Sequence, residues 1–336
     1  MSHRDKAASA KSLGVLRVLS GSKDSAHAPL EPASMRVASR RIRRTSRMAA
    51  QTITLLAEKG GVGRTTLTVN LAGALAREGR RVLLVDMEGQ ASLSKLFLGP
   101  QAVEQLPVNR LVAALFDEAA DALPEQIIQR TRSERIHVAP SSGILFRYEQ
   151  GEPLSKGMLA FALRDFLVEV QDQYDYILVD TPPMIRGLLG VSAVLAADAV
   201  ITPIEPEPFA VQAVVQVHSL LMALQEALRQ AGIPPAFRHL GVVVTKKDRK
   251  ALHKATELML RNNYGSQVFE TVIRDLAAYA DANAAQLPVT EFVPKAKGAQ
   301  AKALEASAEV LQLTAEIQGR LAGQQTTKKT KTRRVA

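Results

Sequence analysis

The chain has no cysteine among its 336 residues, which excludes disulfides, thiolate metal sites and cysteine nucleophiles together. Histidine is nearly as scarce, and the six at positions 3, 27, 137, 218, 239 and 253 have no metal-ligand spacing. Aromatic residues make up only 4% against 46% hydrophobic residues, a balance that suits one sizeable α/β domain with extensions. Long apolar runs are also missing. The longest, near Gly187 to Ala197, ends at Asp198 and is too short to cross a bilayer. Near the N-terminus Arg17 separates Leu13-Gly14-Val15-Leu16 from Val18-Leu19, which leaves no signal-peptide core. The expectation is a soluble, cytoplasmic protein without membrane contact.

Positive charge is present in excess, but only at the ends. Residues 1–47 carry eleven Lys/Arg against three acids, and residues 323–336 carry five Lys/Arg and no acid. Of a net +10, these segments hold +8 and +5, so the remainder is net −3. A mildly acidic globule between two basic tails follows. The first tail mixes Ala, Ser, Pro, Gly and Arg without a sustained period and buries too little to offset its ordering entropy, so disorder is expected. Six arginines fall between Arg36 and Arg47, among them Arg40, Arg41, Arg43 and Arg44. They suit an arm that neutralises nucleic-acid phosphates. The alternatives are a solvated extension or translation that begins at Met48. Forty-seven residues are too few for a winged-helix domain ahead of the main fold.

The chemistry concentrates in Glu58-Lys59-Gly60-Gly61-Val62-Gly63-Arg64-Thr65-Thr66. A β-branched run from Ile53 precedes it, and apolar residues at helical spacing follow from Leu67 to Ala76. Strand, glycine loop and helix in this order aim backbone N–H groups and the positive helix end at one anion, and phosphate is the expected one. Thr65 is placed to offer its hydroxyl to Mg²⁺. Farther on, Tyr176-Ile177-Leu178-Val179-Asp180 reads as a buried parallel strand that ends in a carboxylate, the group that holds Mg²⁺ through water in P-loop enzymes. A nucleotide with Mg²⁺ is therefore the expected ligand.

The loop resembles the deviant Walker A loop of the ParA/MinD family of partition and positioning ATPases, written Lys-Gly-Gly-x-Gly-Lys-Thr. Lys59 matches the early lysine, which in that family reaches across a dimer to the partner's nucleotide. Arg64 stands where the family has its second lysine. A second strand, Arg81 to Asp86, runs into Met87-Glu88-Gly89-Gln90. The family's Asp-x-Asp-Pro-Gln matches there at Asp86, near the metal, and at Gln90. Its water-orienting acid is Glu88 here, and its proline is Gly89, which would loosen the turn. Ala197 to Pro206 and Pro288 to Gln300 also resemble family segments, the first leading toward the nucleotide base. Lys246-Lys247-Asp248-Arg249-Lys250 weakly echoes a base-recognition motif. It also lies on the side through which family members bind DNA, so Lys246, Lys247, Arg249 and Lys250 are candidate phosphate contacts. The resemblance covers roughly residues 50–322 and rests on the order of its motifs.

These readings imply a basic extension over 1–49, a P-loop NTPase domain over 50–322 and a basic tail over 323–336. The domain should be α/β, a single doubly wound, mostly parallel sheet with helices on both faces. Helices are expected over Leu154 to Val170, Phe209 to Gln230, and from the Pro288 segment to about Leu321. Residues 100–150 show short helical pieces and a strand at 135–139, with no evident chemistry. The resemblance implies ATP with Mg²⁺ as cofactor and an ATP-dependent homodimer that binds DNA without sequence preference. A ParB-like centromere-binding protein would be its partner, in plasmid or chromosome partition at the nucleoid. Catalytic roles fall to Lys59, Arg64 and Glu88, phosphate binding to Lys59 through Thr66, and metal binding to Thr65, Asp86 and Asp180. Two other readings stay open: a weakly or non-hydrolysing DNA scaffold switched by nucleotide, and a MinD-like positioning ATPase. The tail from Lys328 to Ala336 has almost no apolar face for the latter.

Overall fold

The computed structural model describes residues 49–332 apart from 118, 119, 121, 150–156 and 184. Arg40, Arg41, Arg43 and Arg44 therefore lie outside the described residues. Seven strands form one sheet: β1 (Gln51–Leu55), β2 (Val82–Asp86), β3 (Gln129–Arg130), β4 (Ile136–Ala139), β5 (Tyr176–Asp180), β6 (Ala199–Ile204) and β7 (Arg238–Val244). Their spatial order is β3-β4-β2-β5-β1-β6-β7. All neighbours pair parallel except β3 with β4. From β1 the chain crosses first to β2 on one side and later returns through β5 to β6 and β7 on the other, so the carboxyl end of β1 opens at a topological switch point.

Strands covered on both faces need apolar residues at successive positions, and β2 supplies them. Leu83 and Val85 enter one core, while Val82 and Leu84 enter the other. The longer helices are α1 (Arg64–Arg77), α2 (Ser92–Leu98), α3 (Ala162–Val170), α4 (Leu188–Leu195), α5 (Ala210–Gln230), α6 (Ala251–Tyr264), α7 (Ala277–Ala284) and α8 (Lys297–Thr332). On one face Leu67, Val69, Leu71 and Leu75 of α1 pack with Ala282 of α7 and Val310, Leu313 and Ile317 of α8. The opposite core joins Leu163 and Phe166 of α3, Leu189 and Val194 of α4, and Leu220 and Leu224 of α5. The apolar run at Gly187 to Ala197 thus becomes a buried helix, and no described helix is long and apolar enough to span a membrane.

Two helix expectations shift. The turns expected as α-helix ahead of Ala162 are 3₁₀ from Gly157 to Phe161, consistent with glycine's weak helix propensity at their start. Residues 154–156 of that expectation lie outside the described residues. At the C-terminus the helix does not stop near Leu321, and its backbone continues through Thr332. Leu321 is the last of its residues in the core. Beyond it the sequence offers no glycine or proline after Gly323 to end a helix.

The turn after β2 also differs in its cause from the sequence expectation. Gly89 does not take a left-handed backbone, so freedom of φ is not what it provides. A Cβ at this position would fall 2.8 Å from two carbons of the Phe146 ring. The glycine makes room for that ring, which lies over the loop that carries Glu88.

Gly89→Ala should therefore destabilise the fold by roughly 1–2 kcal/mol through overpacking, and adding Phe146→Ala should remove most of that penalty. Urea unfolding of the two variants measures this. A Gly89→Ala chain stabilised by about 0.4–1 kcal/mol, as at an unhindered site, would show that the ring does not constrain the loop.

Candidate functional site

Backbone geometry at the end of β1 comes first. Gly61 and Gly63 take φ values of 79° and 83°, a left-handed conformation that costs other residues strain. Gly63 caps α1 without any side-chain hydrogen bond, and no acid occupies the helix's first turn. The first-turn N–H groups therefore face the loop with no carboxylate competing for them, as anion binding requires. Thr245, at the exit of β7, braces the loop by donating its hydroxyl to the Val62 carbonyl at 2.7 Å.

Beneath this loop β2 and β5 run in register, which sets Asp86 beside Asp180. Both are fully buried. Thr65 donates its hydroxyl to Asp180 Oδ2 at 2.6 Å, while Asp180 Oδ1 has no hydrogen-bond partner. A hydroxyl and an unsatisfied carboxylate oxygen are hard donors of the kind Mg²⁺ takes, so Thr65 and Asp180 fit a metal. Burial pushes the Asp180 carboxyl up to about 7, with Arg64 opposing and Asp86 adding to the rise.

Asp86, the third residue expected at the metal, is held by hydrogen bonds from its own turn and from α2. Its Oδ2 accepts from the Ser94 N–H at 2.9 Å and the Ser94 hydroxyl at 2.7 Å, and its Oδ1 accepts from the Glu88 N–H at 3.1 Å. It clamps the β2 turn to the start of α2. Burial still raises its carboxyl to about 6 against these bonds.

Arg64 is 5% exposed and lies across the floor of the site. One guanidinium nitrogen donates to the Ala57 carbonyl at 2.9 Å. Nη2 stands 3.8 Å from Glu88 Oε1, and Nε stands 3.7 Å from Asp180 Oδ1. Nε itself has no hydrogen-bond partner. The structure thus gathers Arg64, Thr65, Asp86, Glu88 and Asp180 at one place. Lys59 is directed elsewhere, to an exposed ion pair with Glu207 of its own chain. That pair raises the lysine's pKa and lowers the glutamate's.

Residues 100–150, expected to carry no chemistry, do contribute. Ser141 accepts no role from sequence pattern, yet its N–H donates to the Ser94 hydroxyl and its hydroxyl donates to the Glu88 carbonyl, at 2.9 and 2.7 Å. Glu149 lies near enough that burial and the charge of Glu88 raise its pKa. No signal in the sequence of this stretch marked its approach to the site.

Two hollows flank the loop. One of about 380 Å³ is lined by Glu58, Lys59, Glu205, Glu207 and Phe209 near the exit of β6. The other, about 300 Å³, lies beside Gly63 and Thr66 and is closed by Thr245, Lys246, Asp275 and Tyr279. The basic cluster on that side is partly neutralised, because Lys247 pairs with Glu257 and Lys250 with Asp248. Lys246 and Arg249 are exposed.

Comparison with known proteins agrees with this architecture. A family model described as an AAA domain matches residues 50–231. The chromosome-partitioning ATPase Soj of Thermus thermophilus is 33% identical over 76% of this chain and 93% of its own. Soj of Bacillus subtilis, described as a sporulation initiation inhibitor, is 30% identical over 74% and 93%. An uncharacterized protein of Mycobacterium tuberculosis is 31% identical over 77% of this chain and 78% of its own. Among solved structures, an ATP complex of Cyanothece McdA superposes with a TM-score of 0.66 at 19% identity, covering 81% of this chain and 98% of that one. A putative plasmid partition protein from Borrelia burgdorferi bound to AMPPNP gives 0.60 at 20% identity, over 82% and 99%. The P-loop on a doubly wound sheet, the paired strand-end carboxylates and these relatives together place the chain in the ParA/MinD family of P-loop ATPases.

Proposed function

We propose that the chain is a ParA-like ATPase that binds ATP with Mg²⁺, dimerises on nucleotide, binds DNA without sequence preference and serves partition with a ParB-like partner. The observation that carries this reading is the Thr65–Asp180 pair set directly under the open N-terminus of α1. Thr65 and Asp180 would hold the metal, which would supply neutralisation of charge on the transferring phosphoryl oxygens. The acids mark the terminal-phosphate end of the site. The hollow beside Thr66, on the other side of the loop, then suits the ribose and base, whereas the exit of β6, expected to lead toward the base, lines the other hollow.

Arg64 and Glu88 set the expected rate. A lysine ammonium is a compact charge that can follow phosphate during transfer, whereas a planar guanidinium anchored on Ala57 is held in one orientation. Glu88 faces that guanidinium and has one methylene more than aspartate, so it aligns water poorly. Phosphate binding should survive these features better than cleavage does. The second reading, a nucleotide-switched DNA scaffold that scarcely hydrolyses ATP, is favoured by the same burial of Arg64.

Single-turnover ATP cleavage, measured with saturating DNA and partner, tests the first reading against the second. Arg64→Lys with Glu88→Asp should accelerate cleavage about ten-fold or more, equal to roughly 1.4 kcal/mol of barrier. Thr65→Ala and Asp180→Ala should each abolish it. Fast cleavage by the native chain that is lost in the Lys/Asp variant would show a site tuned to arginine.

Lys59 is proposed to reach a partner's nucleotide, and to do so it must leave Glu207. Lys59→Ala should bind ATP yet remain monomeric by light scattering, while Glu207→Gln should dimerise at lower protein concentration than the native chain. An ATP-bound Lys59→Ala dimer would end the trans assignment.

DNA affinity should reside mainly in the terminal cations, because the globule is net acidic and two of its four clustered cations are already paired. Deleting residues 1–47 and 323–336 together should flatten the dependence of log affinity on log salt, since that slope scales with phosphates neutralised. An unchanged slope would move the contacts to Lys246 and Arg249.

A further inference from the structure

We infer that Arg64 is the resident cation of the metal position, a specificity-determining residue that supplies part of the charge a divalent ion would bring. Nucleotide binding by this chain is then nearly independent of Mg²⁺, and the metal is required for cleavage alone. This rests on the nucleotide reading of the loop given above.

The placement of the guanidinium carries the inference. It is buried, it lies within 4 Å of both Asp180 and Glu88, and among the described residues it is the only cation ion-paired to either acid. Lys59, the other cation of the loop, is taken by Glu207. Arginine cannot shed its proton to relieve crowding, so the positive charge is permanent. Its hydrogen bond to the Ala57 carbonyl fixes the plane of the fork, and that plane directs Nε and Nη2 toward the acids. The unsatisfied Nε and the unsatisfied Asp180 Oδ1 face each other at 3.7 Å, a gap that a small movement closes.

Two consequences follow from a fixed charge at this point. A divalent ion entering between Thr65 and Asp180 meets a neighbouring positive charge, and the carboxylate that would attract it is already partly compensated. Nucleotide phosphates arriving without metal, by contrast, find a preformed cation beside the α1 N-terminus. A lysine at position 64 would reverse both effects, because its flexible stem can follow the phosphates and leave Asp180 to the metal.

The test uses the full chain and two independent readouts. First, titrate a fluorescent ATP analogue in millimolar Mg²⁺ and in excess EDTA. The native Kd should differ by less than about three-fold, while that of Arg64→Lys should differ by more than about ten-fold. A ten-fold or greater metal dependence in both proteins would overturn the inference, because it would mean that Arg64 vacates the acids when nucleotide binds. Second, without nucleotide, follow the melting temperature against Mn²⁺ alone. Arg64→Gln, and to a lesser degree Arg64→Lys, should be stabilised by Mn²⁺ while the native chain is not; equal stabilisation of all three would overturn it. If no nucleotide binds in any condition, the proposed function fails, and the Mn²⁺ experiment still decides the role of Arg64.

Discussion

Several like charges lie under the glycine loop, and the way they are compensated governs the rest of the site. Asp86 and Asp180 are fully buried on adjacent strands, with Glu88 close above them. Removing one member of a buried ion pair typically costs about 3–5 kcal/mol, so uncompensated acids here would oppose folding. The chain answers with neutral donors at Asp86, where Ser94 and the Glu88 N–H supply three hydrogen bonds. At Asp180 it answers with one hydroxyl and one guanidinium, and leaves an oxygen unsatisfied. The saturated acid orients the loop. The unsatisfied one has capacity to spare for a ligand.

This division depends on the sheet. Parallel strands in register bring their carboxyl ends to one edge, so residues more than ninety positions apart become neighbours without any long loop. The same edge receives β4, which is why Ser141 can join the turn of β2 to the start of α2. Three separate segments are thus tied through two serine hydroxyls before any ligand arrives.

Much of this was legible in the sequence, for identifiable reasons. Buried parallel strands leave continuous apolar runs, glycines with forced φ leave a loop signature, and strand-end acids leave Asp86 and Asp180 in recognisable places. The contacts of Ser94, Ser141 and Glu149 left no such mark, because a hydroxyl or carboxylate at a tertiary contact has no period and no fixed spacing. Lys59 shows the same limit. Its place in the loop is visible in sequence, but its attachment to Glu207 depends on where the exit of β6 lies. Gly89 was visible as a departure from the family motif, and only the fold reveals Phe146 as the reason. Likewise the composition of the final segment marks it as basic, whereas the helical backbone through Thr332 extends a helix already anchored by Leu313, Ile317 and Leu321.

The Phe146 ring against Gly89 has a mechanical consequence. Phe146 opens the short helix that ends at Glu149, so the ring and that carboxylate belong to one rigid turn. With no side chain on Gly89 to act as a spacer, the ring rests on the backbone that carries Glu88. The ring thus seats the turn that ends at Glu149 against the backbone that carries Glu88, and the acids at positions 88 and 149 share one wall of the site.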